Sequence, residues 1–114
     1  MRSYSVGRNL TANTKTTLFV VPTKQVANLT LLYATNSTAS TKHFSAWWYD
    51  KSNNTEVTIV ALYDISAKSF LKFDNSYVTL EEGDEIRVQS ETGSTASVII
   101  TLEVDNAPAV SYTY

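Results

Sequence analysis

Near its C-terminal end the chain reads YVTLEEGDEIRVQS, in which apolar and polar residues alternate on both sides of the EEGD segment. Val78 and Leu80 precede this segment, and Ile86 and Val88 follow it with the same period of two. Successive side chains of a strand leave opposite faces of a sheet, so the alternation predicts two half-buried strands. Gly83 suits the tight turn between them, and its acidic neighbours predict a solvated turn. This segment therefore favours an antiparallel sheet.

The same alternation recurs along the chain, and no segment has the apolar stripe of an amphipathic helix with caps. The predicted strands are Thr16–Val21, Val26–Thr35, His43–Asp50, Glu56–Asp64, Ser69–Phe73, Tyr77–Leu80, Glu85–Glu91 and Thr95–Val104. We therefore expect an all-β fold, an antiparallel β-sandwich of about eight strands of jelly-roll or immunoglobulin-like type. The sandwich domain is expected to span residues 16–104, between an N-terminal arm (residues 1–15) and a C-terminal arm (residues 105–114).

Two of the predicted strands are apolar on both faces. In Glu56–Asp64, Val57 and Ile59 alternate with Val60 and Leu62. A two-layer sandwich buries only one face of each sheet, so the second apolar face needs a cover. Either a loop or arm of the same chain, or another subunit, could provide it. Val60 and Leu62 are accordingly candidates for a protein interface.

An aromatic segment gives the clearest candidates for recognition. Alternation places Phe44 and Trp48 on one face, expected to be core, and Trp47 and Tyr49 on the other. Exposed Trp and Tyr suit either a protein interface or a platform on which sugar rings stack. Alternatively, the two rings cover a second small core beneath a loop or the N-terminal arm.

The last residues, DNAPAVSYTY, leave two tyrosines to be placed after the proline. One interpretation is a frayed end. The other is an extended arm that lies on a neighbouring subunit, with Tyr112 and Tyr114 as its anchors.

Composition narrows the possible functions. The 114 residues contain no cysteine, which excludes disulfides, thiol catalysis and cysteine-based zinc sites. A net charge of −2 and scattered basic residues argue against a nucleic-acid partner. No apolar run is long enough to cross a bilayer, and no signal peptide is visible, so synthesis in the cytoplasm is expected.

Residues of the kinds that perform catalysis are few and dispersed. His43 is the single histidine, so neither a histidine metal cluster nor a serine triad with a nucleophile elbow is predicted. Asp50, Asp64 and Asp74 could supply paired carboxylates, but nothing in the sequence selects a pair. We expect no catalytic, cofactor or metal site, and no enzyme activity.

The acidic turn admits a second interpretation, since clustered carboxylates can bind calcium. The spacing of Glu81, Glu82, Asp84 and Glu85 does not match an EF-hand loop. A solvated turn is therefore the preferred interpretation.

Two motifs resemble those of small β-sandwich virion structural proteins of tailed bacteriophages, which are frequent in phages of marine bacteria. The opening motif is Val21–Thr23, followed by a long apolar strand; Lys24 occupies a position where those proteins often have glycine. The closing motif is an L-x-x-G-D-x-I-x-V hairpin made by Leu80, Gly83, Asp84, Ile86 and Val88. Similar hairpins also close tumour-necrosis-factor-like and carbohydrate-binding jelly rolls.

The resemblance implies a non-enzymatic part of the virion, either a capsid decoration or cement protein or an accessory of the neck or tail. Its expected partners are the major capsid protein or neck and tail proteins, and a homo-oligomer is expected. The alternative is a carbohydrate- or receptor-binding module of a tail or fibre. In that case Trp47, Tyr49 and Tyr63 would form the platform for a glycan.

Overall fold

The computed structural model describes residues 2–107, with all side chains except those of Tyr4, Asn75, Ser76 and Tyr77. Within this range the chain forms eight strands and no helix. The strands are β1 (Arg2–Asn9), β2 (Thr16–Val20), β3 (Gln25–Asn36), β4 (Lys42–Asp50), β5 (Thr55–Ile65), β6 (Ser69–Leu80), β7 (Glu85–Ser90) and β8 (Ala96–Asn106).

The strands pair in a nested pattern, in which β1 pairs with β8, β2 with β7, β3 with β6 and β4 with β5, all antiparallel. Further pairing of β3 with β8 and of β4 with β7 joins them into two four-stranded sheets. Sheet 1 has the order β1-β8-β3-β6, and sheet 2 has the order β2-β7-β4-β5. This nested wrapping is that of an eight-stranded jelly roll. The predicted antiparallel sandwich is confirmed, and its strand order selects the jelly roll over the immunoglobulin-like alternative.

The core lies between the two sheets and follows the predicted alternation where strands are regular. In β7, Ile86 and Val88 are fully buried, and in β8 the buried residues include Val98, Ile100 and Leu102. Burying each such side chain contributes about 1.5–3 kcal/mol, so these two strands contribute much of the stabilisation.

A β-bulge in β3 changes which residues reach the core. The pairing with both β6 and β8 shifts between Leu29 and Leu31. Because a one-residue insertion exchanges the two faces, Leu32 is buried and Tyr33 lies on the outer face. Uninterrupted alternation along β3 would place Leu31 and Tyr33 on the face of Ala27, and the bulge overturns that placement.

The N-terminal segment is also different from the prediction. Residues 2–9 do not form an arm but the edge strand β1, paired with β8 over its whole length. Its apolar content is low, so its alternation is too weak to predict a strand. The two predicted strands Ser69–Phe73 and Tyr77–Leu80 are one strand. β6 continues through the polar residues between them, where its pairing with β3 shifts in register. At the other end, β8 continues to Asn106.

Asp84 fastens the EEGD turn to two other parts of the fold. Its side chain is only 1% exposed, which corrects the prediction of a fully solvated acidic turn. Its carboxylate accepts hydrogen bonds from the Trp48 Nε1–H at 3.1 Å, the Lys51 N–H at 3.1 Å and the Glu81 N–H at 2.9 Å. The backbone carbonyl of Asp84 also accepts a hydrogen bond from the Val21 N–H. The buried carboxylate thus joins the ends of β4 and β6, and the backbone carbonyl of the same residue holds the end of β2.

We expect Asp84→Ala to lower the free energy of unfolding by about 2–4 kcal/mol, because three N–H donors lose a buried acceptor. Asp84→Asn keeps the shape but turns one acceptor oxygen into a donor, so it is also expected to cost at least about 1 kcal/mol. Urea denaturation measures both. Glu81→Gln, on the exposed part of the turn, is the control and should change stability by less than about 0.5 kcal/mol. A loss for Asp84→Ala no larger than that of the control would contradict this role.

Candidate interaction surfaces

The outer face of sheet 2 carries a cation–aromatic layer, formed by Lys15, Trp47, Tyr49, Glu56 and Arg87. Alternation along β4 places Trp47 and Tyr49 on this face, as predicted. Lys15 Nζ lies 4.0 Å from the centre of the Trp47 ring, and the Arg87 guanidinium carbon lies 4.1 Å from the centre of the Tyr49 ring. Such cation–π contacts contribute about 0.5–1 kcal/mol each at exposed sites. Both rings are therefore half-buried beneath cations.

Carboxylates hold the two cations in place. Glu56 accepts hydrogen bonds from Lys15 Nζ at 2.8 Å and from Arg87 Nη1 at 3.0 Å, and Arg87 Nε donates to Glu85 at 2.9 Å. The hydrogen bond from Lys15, followed by that from Arg87, holds the pKa of Glu56 below its usual value despite the opposing desolvation. The hydrogen bond to Glu85 raises the pKa of Arg87. The layer thus satisfies its charges internally.

The two predicted interface residues of β5 do not share a face. Val60 is 5% exposed and lies in the core, whereas Leu62 is 65% exposed. The pairing of β5 with β4 shifts twice, and two β5 residues, Ala61 and Leu62, stand opposite Ser45. Leu62 has a φ of 46°, and its N–H donates to Ser45 Oγ at 2.9 Å. The assignment of Val60 to an exposed interface is therefore wrong, because the bulge separates it from Leu62.

The remaining predicted interface residues, Tyr112 and Tyr114, lie outside the described residues. Tyr63, the third residue of the expected glycan platform, is half-exposed on β5. That strand lies at the opposite edge of sheet 2 from β2, with β4 between it and β7.

The outer face of sheet 1 carries an aromatic patch that was not predicted from the sequence. We call Tyr33, Phe70 and Ile99 the sheet 1 patch. Tyr33 stands opposite Ile99 of β8, and its ring stacks on that of Phe70 with centroids 5.2 Å apart and an interplanar angle of 16°. Phe70 is 55% exposed and Ile99 is 42% exposed. The β3 bulge is what turns Tyr33 to this side, so a strict period of two could not have found the patch.

The sheet 1 patch has mostly uncharged neighbours, with Lys68 and Lys72 beside it on one side. Gly7 of β1 stands opposite Ile99, and Thr35 of β3 stands between Phe70 and Ser97 in the pairing. Beside Tyr33 and Phe70 lies a shallow depression of about 320 Å³, lined also by Thr35, Asn36, Ser37, Lys68 and Ser69. Lys72 of the edge strand β6 stands opposite Tyr33 and forms an ion pair with Asp74. The two outer faces of the sandwich thus differ in chemistry: sheet 2 is ionic and sheet 1 is largely neutral with exposed rings.

The ionisable residues that the sequence offered as candidates for catalysis or metal binding are spread over different parts of the structure. His43 contacts Glu91, whose pKa is lowered chiefly by the backbone N–H of His43. Asp50 caps the β4–β5 turn through Ser52 and Asn53, while Asp64 stands opposite His43 at the other end of the same hairpin. Within residues 2–107, no three His, Asp or Glu side chains form a group that could hold a metal ion.

No protein-family model matches the chain, and no curated protein matches it significantly in sequence. Across the described part of the chain, no helix is both long and apolar enough to cross a membrane.

Leu62 gives a test of the β5 bulge. A left-handed backbone costs a non-glycine residue about 1–2 kcal/mol, whereas glycine in a strand loses about 0.5–1 kcal/mol through its flexibility. Leu62→Gly should therefore leave the free energy of unfolding unchanged or raise it by up to about 1 kcal/mol. Ala61→Gly, at the adjacent position with ordinary φ, should lower it by about 0.5–1 kcal/mol. Chemical denaturation of both variants checks the difference, and an equal or larger loss for Leu62→Gly would refute the strain.

The cation–aromatic layer predicts a dependence of stability on pH. The pKa of Glu56 is lower in the folded state than the ordinary value of 4.5, so folding favours the ionised carboxylate. Its contribution is complete above the unfolded pKa and is lost as the pH falls through the folded pKa. Glu56→Gln should therefore lower stability by about 0.2–1 kcal/mol at pH 7 and flatten its decline below about pH 4.5. Glu81→Gln is the control of equal charge change, and thermal melts from pH 7 to pH 3 measure both.

Proposed function

We propose that the protein is a non-enzymatic structural component of a bacteriophage virion that acts through multivalent contacts with other virion proteins. It would be made in the host cytoplasm and then join the particle as a capsid decoration or cement protein, or as an accessory of the neck or tail. Support comes from the motif resemblance described above and from the jelly-roll architecture, which is common among viral capsid domains. Fold alone does not define function, so the proposal rests on the chemistry of the exposed surface.

The observation that carries the proposal is the sheet 1 patch. Tyr33, Phe70 and Ile99 form an exposed apolar group with mostly uncharged neighbours on the outer face of sheet 1. Aromatic side chains on a neutral surface are typical anchors of protein interfaces, because they bury a large area at little entropic cost. The outer face of sheet 2 instead carries a network of paired charged side chains, which are costly to desolvate.

This assignment moves the principal contact surface away from Trp47 and Tyr49. Lys15 and Arg87 already lie over these two rings, so a partner would have to displace paired cations to reach them. Ile99 and Phe70 require no such displacement. We therefore propose sheet 1 as the face that binds another virion protein.

The proposal is tested on purified particles of the virus that encodes the chain. Phe70→Ser with Ile99→Ser should reduce attachment of the purified protein to particles that lack it by at least about tenfold, because two interface anchors are lost. The double variant Tyr63→Ser with Val20→Ser removes exposed apolar groups from sheet 2 and is the matched control. Mass spectrometry of sedimented particles measures attachment, and circular dichroism checks folding. Absence of the wild-type protein from particles would reject the virion role; equal attachment of both double variants would reject the assigned face.

A carbohydrate-binding module is the second candidate, because the polar residues Thr35, Ser37 and Ser69 line the depression beside Tyr33 and Phe70. Aromatic rings next to polar groups are the usual surroundings of a bound sugar. A glycan array distinguishes the two functions. Selective binding that Phe70→Ser abolishes would favour the glycan, whereas a silent array with intact particle attachment favours the protein contact.

A further inference from the structure

The four edge strands of the sandwich are not equally protected against pairing with another chain. A free sheet edge exposes N–H and C=O groups that can pair with any strand, and native proteins block such edges with bulges, charges or very short strands. β2 has only five residues and a register shift, and β5 has two register shifts with the left-handed Leu62. β6 has a register shift and carries Lys72 and Asp74. Three of the four edges therefore carry a device that blocks pairing.

Between Arg2 and Arg8, β1 carries no such device in the described structure. Its eight residues pair with β8 without a register shift, and the segment between Arg2 and Arg8 is uncharged and lacks proline. Ser3, Ser5 and Gly7 are exposed, and β1 is the terminal strand of sheet 1. A regular, uncharged edge of this length is a template for an added strand.

We propose that β1 pairs antiparallel with β1 of a second copy of this chain, across a two-fold axis that passes between the two Val6 residues. The pairing joins the two copies of sheet 1 into one continuous eight-stranded sheet. This inference goes beyond the virion role and does not depend on it.

The register follows from charge and from the faces of the strand. A two-fold axis perpendicular to the sheet keeps the outer faces on one side, so facing positions must have the same parity. An axis at Ser5 would set Arg2 opposite Arg8 of the other copy, and facing like charges destabilise a strand pair. An axis at Val6 avoids this clash and pairs Ser3 with Asn9 and Ser5 with Gly7. Axes further along β1 shorten the overlap between the strands.

Cysteine cross-linking tests the register directly, because the chain contains no cysteine of its own. Val6→Cys should form an interchain disulfide on mild oxidation, since the two sulfur-bearing residues would face each other. A mixture of Ser3→Cys chains with Asn9→Cys chains should also cross-link. The Val6 pair and the Ser3–Asn9 pair are of opposite kinds, because one is hydrogen-bonded and the other is not. The side chains of a non-hydrogen-bonded pair lie closer together, so one of the two tests has this shorter distance.

Each exposed variant supplies its own control. Ser3→Cys alone and Asn9→Cys alone should form no interchain disulfide under oxidation, because the proposed register separates identical residues by six positions, about 20 Å. Cross-linking in neither Val6→Cys nor the mixture overturns the proposal. So does cross-linking of Ser3→Cys alone at the rate of the mixture.

A charge placed on the edge tests the association without a cross-link. Ser5→Lys brings two lysines near the two-fold axis and should raise the dissociation constant of the dimer about five- to tenfold in sedimentation velocity. Ala61→Lys, at an exposed position of the bulged edge strand β5, should leave it unchanged. A wild-type monomer at every concentration, or equal weakening by both variants, overturns the β1 contact. Circular dichroism confirms that both variants are folded.

Discussion

The β-bulge beside Thr30 determines which surfaces this sandwich has. β3 is the one strand of sheet 1 that pairs with both β8 and β6. A register shift within it therefore changes the pairing with both neighbours. The hydroxyl of Thr30 donates to the carbonyl of Thr101 at 3.2 Å, which gives a polar partner to the side chain of the inserted residue. Beyond the bulge, Leu32 and Ala34 fill the core while Tyr33 turns outward. The buried layer and the exposed aromatic patch are consequences of the same local irregularity.

Each end of the sandwich is fastened by one buried polar side chain. Asp84 accepts three N–H donors at one end, and Asn36 occupies the corresponding place at the other. The Asn36 side-chain amide donates to the carbonyls of Ser40 and Ile65 and accepts from the N–H of Thr38. A buried polar group that is fully bonded fixes the backbone around it, and one that loses its partners is costly. The loops between the sheets are therefore positioned by specific hydrogen bonds as well as by core packing.

Regular strands were predictable and irregular ones were not. β7 and β8 alternate without interruption, so Ile86, Val88 and Ile100 could be assigned to the core from sequence. In β5, by contrast, the prediction placed Val60 and Leu62 together, and the bulge at Ala61 and Leu62 separates them. Bulges leave little trace in composition, because the residue they insert is here threonine or leucine rather than glycine. The sheet 1 patch was not predicted for the same reason, because the β3 bulge places Tyr33 on the outer face.

The edge strand β1 and the sheet 1 patch belong to one surface. Gly7 of β1 stands opposite Ile99, so the patch begins one strand away from the proposed two-fold axis. With neighbouring strands about 4.8 Å apart and a displacement of two residues along the strands, the two Ile99 residues of a dimer would lie about 16 Å from each other on one continuous face. A weak contact made twice through rigidly linked sites gains strongly in avidity, and the proposed virion component would use this gain on a symmetric particle. Edge pairing would thus convert a modest apolar patch into a bivalent binding face. The ionic layer on sheet 2, whose charges are already paired, would remain toward solvent.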